Sequence, residues 1–147
     1  MNILFDLDGT LTDPRVGIVG CIRHALTGLG LSCPCDSELA RYIGPPLQET
    51  FRILMNSTDA ACIDSAVALY RERFTSTGMF ENTVYQGIPA ALRVLKEQGA
   101  TLYVATSKPR VFAVKIVEHF GLREFFRSVS VLYMAANSMA RARTKRS

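Results

Sequence analysis

Two short, predominantly apolar runs, Asn2 to Phe5 and Thr101 to Ala105, frame a long stretch in which apolar residues recur at three- and four-residue steps. Each short run ends in a polar group. That pattern reads as a buried parallel strand, although a buried helical segment shares it. Between them, Val16, Ile18, Val19, Ile22, Ala25, Leu26 and Leu29 follow helical spacing, and Gly28 and Gly30 end that helix. A short helix is expected over Glu38 to Tyr42, with Asp36 or Ser37 as its cap, before Gly44-Pro45-Pro46 breaks it. Leu47 to Met55 resumes as helix with Leu47, Phe51, Leu54 and Met55 on one face. Asn56 to Asp59 reads as a turn and cap. Ala60 to Phe74 is a further helix carrying Ile63, Val67, Tyr70 and Phe74.

Gly78 to Gly87 reads as a loop. Ile88 to Gln98 follows as an amphipathic helix with Ala91, Leu92 and Leu95 inward and Gly99 as its stop. After the second run, Pro109 suits the first helical position of a helix over Arg110 to Phe120, which Gly121 closes. Strand, long helical stretch, helix, strand and helix together predict an α/β fold with a parallel sheet. A βαβ crossover needs one helix, so the surplus between the strands predicts an inserted helical unit.

The polar groups that end the two runs carry the candidate chemistry. Asp6 and Asp8 stand two apart just beyond the first run, followed by Gly9 and Thr10. Residues two apart on an extended chain point to one side, at the end of a parallel strand where open α/β sheets bind ligands. Two carboxylates this close need a cation, a shared proton, or a role that uses a shifted pKa. Oxygen ligands without nearby His or Cys favour a hard ion such as Mg²⁺. Near such an ion one carboxylate suits a nucleophile and the other a general acid/base. Gly9 allows a sharp bend, and Thr10 offers a hydroxyl or an amide to an anion. The second run ends in Thr106-Ser107-Lys108-Pro109, which reads equally as a strand-to-helix turn and as a hydroxyl and helix start aimed at an anion.

These stretches resemble the haloacid dehalogenase (HAD) superfamily. Asp6 to Thr10 is similar to its first motif, Asp-x-Asp-Gly-Thr, and the strand ending Thr106-Ser107-Lys108-Pro109 is similar to its second. Phe5 to Asp13, Tyr42 to Leu47, Tyr70 to Phe74 and Ala105 to Pro109 look most like the phosphoglycolate phosphatase-like branch. The resemblance covers residues 1 to about 129 and identifies the branch better than the substrate. It implies an Mg²⁺-dependent phosphomonoesterase acting on a small phosphorylated metabolite. Asp6 is then the nucleophile that becomes an aspartyl phosphate, and Asp8 the general acid/base. Both hold the metal, Asp8 through its backbone carbonyl. Gly9, Thr10, Thr106, Ser107 and Lys108 are expected around the phosphate. The implied fold is a Rossmann-like HAD core over 1–14 and 83–129, with a helical C1-type cap over 15–82. The Ile43 to Pro46 loop is either the cap's substrate-facing element or an ordinary helix break.

The resemblance also implies a third-motif lysine and fourth-motif aspartates beyond Val129, yet no acid follows Glu124. We read residues 130–147 as an aberrant basic tail and expect it to arise from a reading-frame shift. Read one nucleotide earlier, the commonest codon families for Met134 to Ser147 permit Tyr-Gly-Ser-Glu-Leu-Asp-Gly-Thr-Arg-Thr-Asp-Lys, which is similar to the branch's approach to the third motif. The alternative function is accordingly a HAD remnant with little or no catalytic activity.

Composition narrows the partners. The net charge of +4 rests on the tail: without Arg141, Arg143, Lys145 and Arg146, 13 basic residues face 13 acidic ones. No basic stripe with interleaved aromatics remains, so a nucleic-acid partner is not expected. Hydrophobic content of 48% supports a packed core. No run has the length of a membrane span, and the N-terminus lacks signal-type regions, so a soluble cytoplasmic protein without a membrane partner is expected. Cys21, Cys33, Cys35 and Cys62 form no zinc pattern and are expected as reduced thiols.

Overall fold

The computed structural model describes residues 1–131. A three-stranded parallel sheet runs in the order β1 (Asn2–Phe5), β4 (Thr101–Thr106), β5 (Phe126–Val131). Register places Phe5 beside Val104 and Thr106 beside Val131, with an irregularity at Leu102/Tyr103. The α/β class and the two expected strands are therefore present. β5 continues through Ser130 and Val131, two residues into the stretch read as tail. The remaining tail residues, and the frame-shift expectation with them, lie outside the described residues.

β4 reads as a buried strand and is one, because it is paired on both sides. β1 differs from that expectation. Among the described residues it pairs on one side only, and Leu4 stays 63% exposed. Two helices serve the sheet, α5 (Ile88–Glu97) against β4 and α6 (Arg110–His119) against β5. In α5, Leu92 is buried and Leu95 partly so, whereas Ala91 faces solvent. With one methyl, Ala91 gives α5 little reason to turn further inward. Pro109 is the N-cap residue of α6 rather than its first helical residue, and Gly121 follows the helix with φ 67°.

The inserted stretch is helical throughout: α1 (Arg15–Gly28), α2 (Asp36–Leu39) running into a 3₁₀ turn (Ala40–Tyr42), α3 (Leu47–Leu54) and α4 (Ala60–Arg73). The Asp59 carboxylate caps α4 by accepting the Ala61 N–H at 3.0 Å. Cys35, not Asp36 or Ser37, occupies the cap position of α2, and its side chain makes no capping bond. α1, α3 and α4 pack together, and their buried Ile22, Phe51 and Val67 belong to the same apolar cluster as Leu102, Val104 and Ile116 of the sheet layer.

Gly78 to Gly87 is more ordered than a loop. A π-helical turn (Phe74–Gly78) closes α4, and β3 (Thr83–Val84) pairs antiparallel with β2 (Thr12–Asp13). The two crossings between sheet and helical insert thus lie side by side as a small ribbon. Two-residue strands are too short for any period to reveal them. The ribbon is reinforced where α1 begins: the Gly17 N–H donates to the Glu81 carbonyl at 2.9 Å. A Cβ on Gly17 would lie 2.0 Å from the Gly78 carbonyl oxygen. A bidentate Arg73–Glu81 ion pair, at 2.7 and 3.0 Å, ties the end of α4 to the returning strand.

Candidate active site

β1 and β4 are parallel neighbours, so the groups that follow them emerge at the same end of the sheet. After Phe5 the chain enters a tight turn. The Leu7 carbonyl accepts from the N–H groups of Thr10, Leu11 and Thr12, and the Gly9 N–H donates to the Thr12 carbonyl at 2.8 Å. Gly9 sits at φ 79°, a conformation that a side chain disfavours. Buried Leu7 and Leu11 anchor the turn. Asp6 is exposed, and one of its carboxylate oxygens accepts the Leu7 N–H at 2.7 Å.

Lys108 brings the two motifs together. Its Nζ lies 2.9 Å from Asp8 Oδ2, with the lysine side chain 9% exposed and the aspartate side chain 25%. The backbone N–H of the same lysine donates to the Thr106 hydroxyl at 3.3 Å. Thr106 is nearly fully buried, and its oxygen's role as acceptor leaves the hydroxyl hydrogen for another partner. Ser107, Gly9 and Thr10 lie exposed around this group. The Gly9 N–H is committed inside the turn, so Gly9 offers an anion its conformation rather than its amide. Thr10 keeps its hydroxyl, while its amide makes the longer bond, 3.3 Å, to Leu7.

Sequence reasoning missed two neighbours. The Phe74 ring centroid stands 4.9 Å from Lys108 Nζ, and Phe74 stacks on Tyr70 at 5.7 Å. Their four-residue spacing on one helix face marked both as inward, but not as inward toward Lys108. Burial pushes the Tyr70 phenol well above its usual range, with the negative charges of Cys21 and Asp8 adding to the effect. Burial likewise raises Cys21, although the Arg73 guanidinium at 3.5 Å opposes it.

The residues present fit a hard divalent cation as part of a ligand shell. The donors are oxygens. Asp8 Oδ1 is buried without a hydrogen-bond partner, an unmet demand for a positive group. The turn's hydrogen bonds fall on the Leu7 and Thr12 carbonyls, so that of Asp8 takes none of them. Among the described residues, no group of three acidic, His or Cys side chains gathers here. No helix among them is long and apolar enough to cross a membrane.

Known proteins resemble this chain in sequence and in fold. A 5'-nucleotidase of Pseudomonas aeruginosa is 49% identical over 87% of this chain and 58% of its own length. A phosphoglycolate phosphatase of Agrobacterium fabrum is 28% identical over 86% of the chain and 56% of its own. A protein of Mycobacterium tuberculosis named tyrosine-protein kinase PtkA is 39% identical over 87% and 43%. Among solved structures, a haloacid dehalogenase-like family hydrolase from Streptococcus pneumoniae superposes with a TM-score of 0.81 at 27% identity, over 90% of this chain and 61% of that one. The chain thus spans roughly half of the curated relatives' length. The model of the haloacid dehalogenase-like hydrolases matches residues 3–137. With the Asp-x-Asp turn and the Thr-Ser-Lys-Pro turn joined at one end of a parallel sheet, the chain belongs to the haloacid dehalogenase-like hydrolase family.

Proposed function

We propose that the chain carries the nucleophile half of a phosphomonoesterase site of the phosphoglycolate phosphatase-like kind, acting in the cytoplasm on a small phosphorylated metabolite. The observation that carries this reading is the Lys108–Asp8 contact, which draws the two motifs into one cluster at the same end of the sheet. In this mechanism the Asp6 oxygen not held by Leu7 attacks phosphorus. A bond from carboxylate to phosphorus forms, the bond from phosphorus to the ester oxygen breaks, and Asp8, which enters this step as the carboxylic acid, delivers its proton to the departing alkoxide. Water then attacks the aspartyl phosphate. Asp8 takes the water's proton, orthophosphate leaves, and Asp6 is restored.

The Thr106 hydroxyl donates to a phosphoryl oxygen, and Lys108 supplies positive charge beside it. Asp6 and the Asp8 carbonyl would hold Mg²⁺, which when bound offsets the phosphoryl charge. Residues 1–14 and 83–129 serve as the core in this reading, and 15–82 as a cap whose Ile43 to Pro46 loop meets the substrate.

A second reading, a member of the family with little or no catalysis, has one observation in its favour: among the described residues, no group of three His, Cys, Asp or Glu side chains is placed to hold a metal ion. Hydrolysis of a generic aryl phosphate with and without Mg²⁺ separates the two. Mg²⁺-dependent turnover supports the phosphatase, and no turnover at any Mg²⁺ concentration supports the inactive member.

A further inference from the structure

The Lys108 side chain is over nine-tenths shielded from solvent, yet its ammonium has three N–H groups and, among the described residues, a single carboxylate oxygen within bonding distance. A shielded ammonium with one anionic partner is costly unless something replaces the missing water. What faces it is the Phe74 ring, its centroid 4.9 Å from Nζ. A ring face at that range attracts a cation.

Phe74 is itself closely held. It is 6% exposed, stacks on Tyr70 with an interplanar angle of 15°, and meets Phe112 of α6 edge-on at 5.2 Å. Tyr70 in turn meets Phe51 of α3. Phe74 also opens the π-helical turn, where the helical insert hands the chain back to the sheet. One ring therefore joins the insert, α6 and the Lys108 ammonium.

We propose that Phe74 is a positioning residue of the site, acting through Lys108. Its ring holds the ammonium against Asp8 and stops it from swinging out to water. The position of the helical insert is thereby coupled to the charge that faces the phosphate. This inference rests on the phosphatase reading for its purpose, but not for its test.

The test uses the full chain with Phe74→Leu, Phe74→Tyr and Lys108→Met. The ε-methylene protons of Lys108 should be shifted upfield by the ring in the unaltered protein, assigned by their loss in Lys108→Met. An unshifted Lys108 signal would overturn the proposal without any change at Phe74. Acylation by acetic anhydride, followed by peptide mapping, should label Lys108 much more slowly than the exposed Lys96 and Lys115. Phe74→Leu should accelerate Lys108 labelling and abolish the shift, whereas Phe74→Tyr, which keeps a ring face, should preserve both.

Orthophosphate affinity should fall roughly three- to tenfold in Phe74→Leu, the span of a partly shielded cation–ring contact. It should not fall further when that change is added to Lys108→Met. Unchanged Lys108 labelling in Phe74→Leu overturns the positioning role. Failure of the unaltered chain to bind orthophosphate counts instead against the phosphatase reading and leaves the labelling comparison decisive for Phe74.

Discussion

Gly17 and Gly20 lie one turn apart on α1, and replacing each by alanine should have opposite consequences. Both changes gain about 1 kcal/mol of helix propensity. At Gly20 the added methyl would meet only the tip of the Arg73 guanidinium, at 3.0 Å. Although that end is paired with Glu81, the two partly exposed side chains can shift together by a few tenths of an ångström, so Gly20→Ala should be neutral or slightly stabilising. At Gly17 the methyl would meet the Gly78 carbonyl at 2.0 Å and the Glu81 carbonyl at 2.9 Å, both backbone.

Relief at Gly17 requires α1 to move away from the π-helical turn. That movement stretches the Gly17 N–H to Glu81 bond of 2.9 Å and leaves both groups poorly paired. Overpacking costs about 1–3 kcal/mol or more, and the weakened hydrogen bond adds about 1 kcal/mol. After the propensity gain, Gly17→Ala should lose about 1–3 kcal/mol net, a sizeable part of the 5–15 kcal/mol typical of a whole domain. Urea unfolding followed by far-ultraviolet circular dichroism measures this directly, since the chain has no tryptophan to report. The account expects a lower midpoint for Gly17→Ala and an unchanged or higher one for Gly20→Ala. A Gly17→Ala protein as stable as Gly20→Ala would refute the close approach of α1 to the turn.

The Lys108–Asp8 pair should show coupling in a double-mutant cycle. Lys108→Met alone strands a partly shielded carboxylate and should cost about 1–3 kcal/mol, and Asp8→Asn in the same chain should recover part of it; strict additivity would count against the pair. Stability should decline in alkali. Cys21 and Tyr70 are both held above their ordinary values of 9.0 and 10.0, so the neutral forms favour the folded state. Their contribution is complete below those values and is lost as pH rises above them. Tyr70→Phe should flatten the part of the decline above pH 10.0, and an unaltered slope would contradict the buried phenol. At the Ile43 to Pro46 loop, changes at Gly44 or Pro45 should alter preference between large and small phosphate esters, and equal losses on both would argue against a substrate-facing loop.

The sequence made β1, β4 and the helical insert legible through their patterns, because Thr101 to Ala105 is continuous where Ala60 to Phe74 repeats every three or four residues, whereas β5 was not read as a strand. Less was legible of β1: an apolar run cannot say how many neighbours the strand has, nor that Leu4 lies on the face left open among the described residues while Ile3 and Phe5 on the other face are partly buried. The β2–β3 ribbon escaped because two paired residues have no period. The Asp-x-Asp and Thr-Ser-Lys-Pro turns were legible as chemistry, since charge and hydroxyls at strand ends are visible one residue at a time. That Lys108 bridges them was not, because the contact spans a hundred residues of chain and depends on β1 and β4 lying side by side. Phe74 read as core, which it is; its second face became visible only with Lys108 in place.

If Asp6 is the nucleophile, it carries a phosphoryl group during turnover. The full chain is mixed with an aryl phosphate and Mg²⁺, quenched in acid and digested, and the N-terminal peptide is weighed. A phosphoryl adduct is expected on Asp6 and absent from Asp6→Asn, with hydrolysis lost in the same variant. Turnover that survives Asp6→Asn, with no adduct on the unaltered chain, would contradict it.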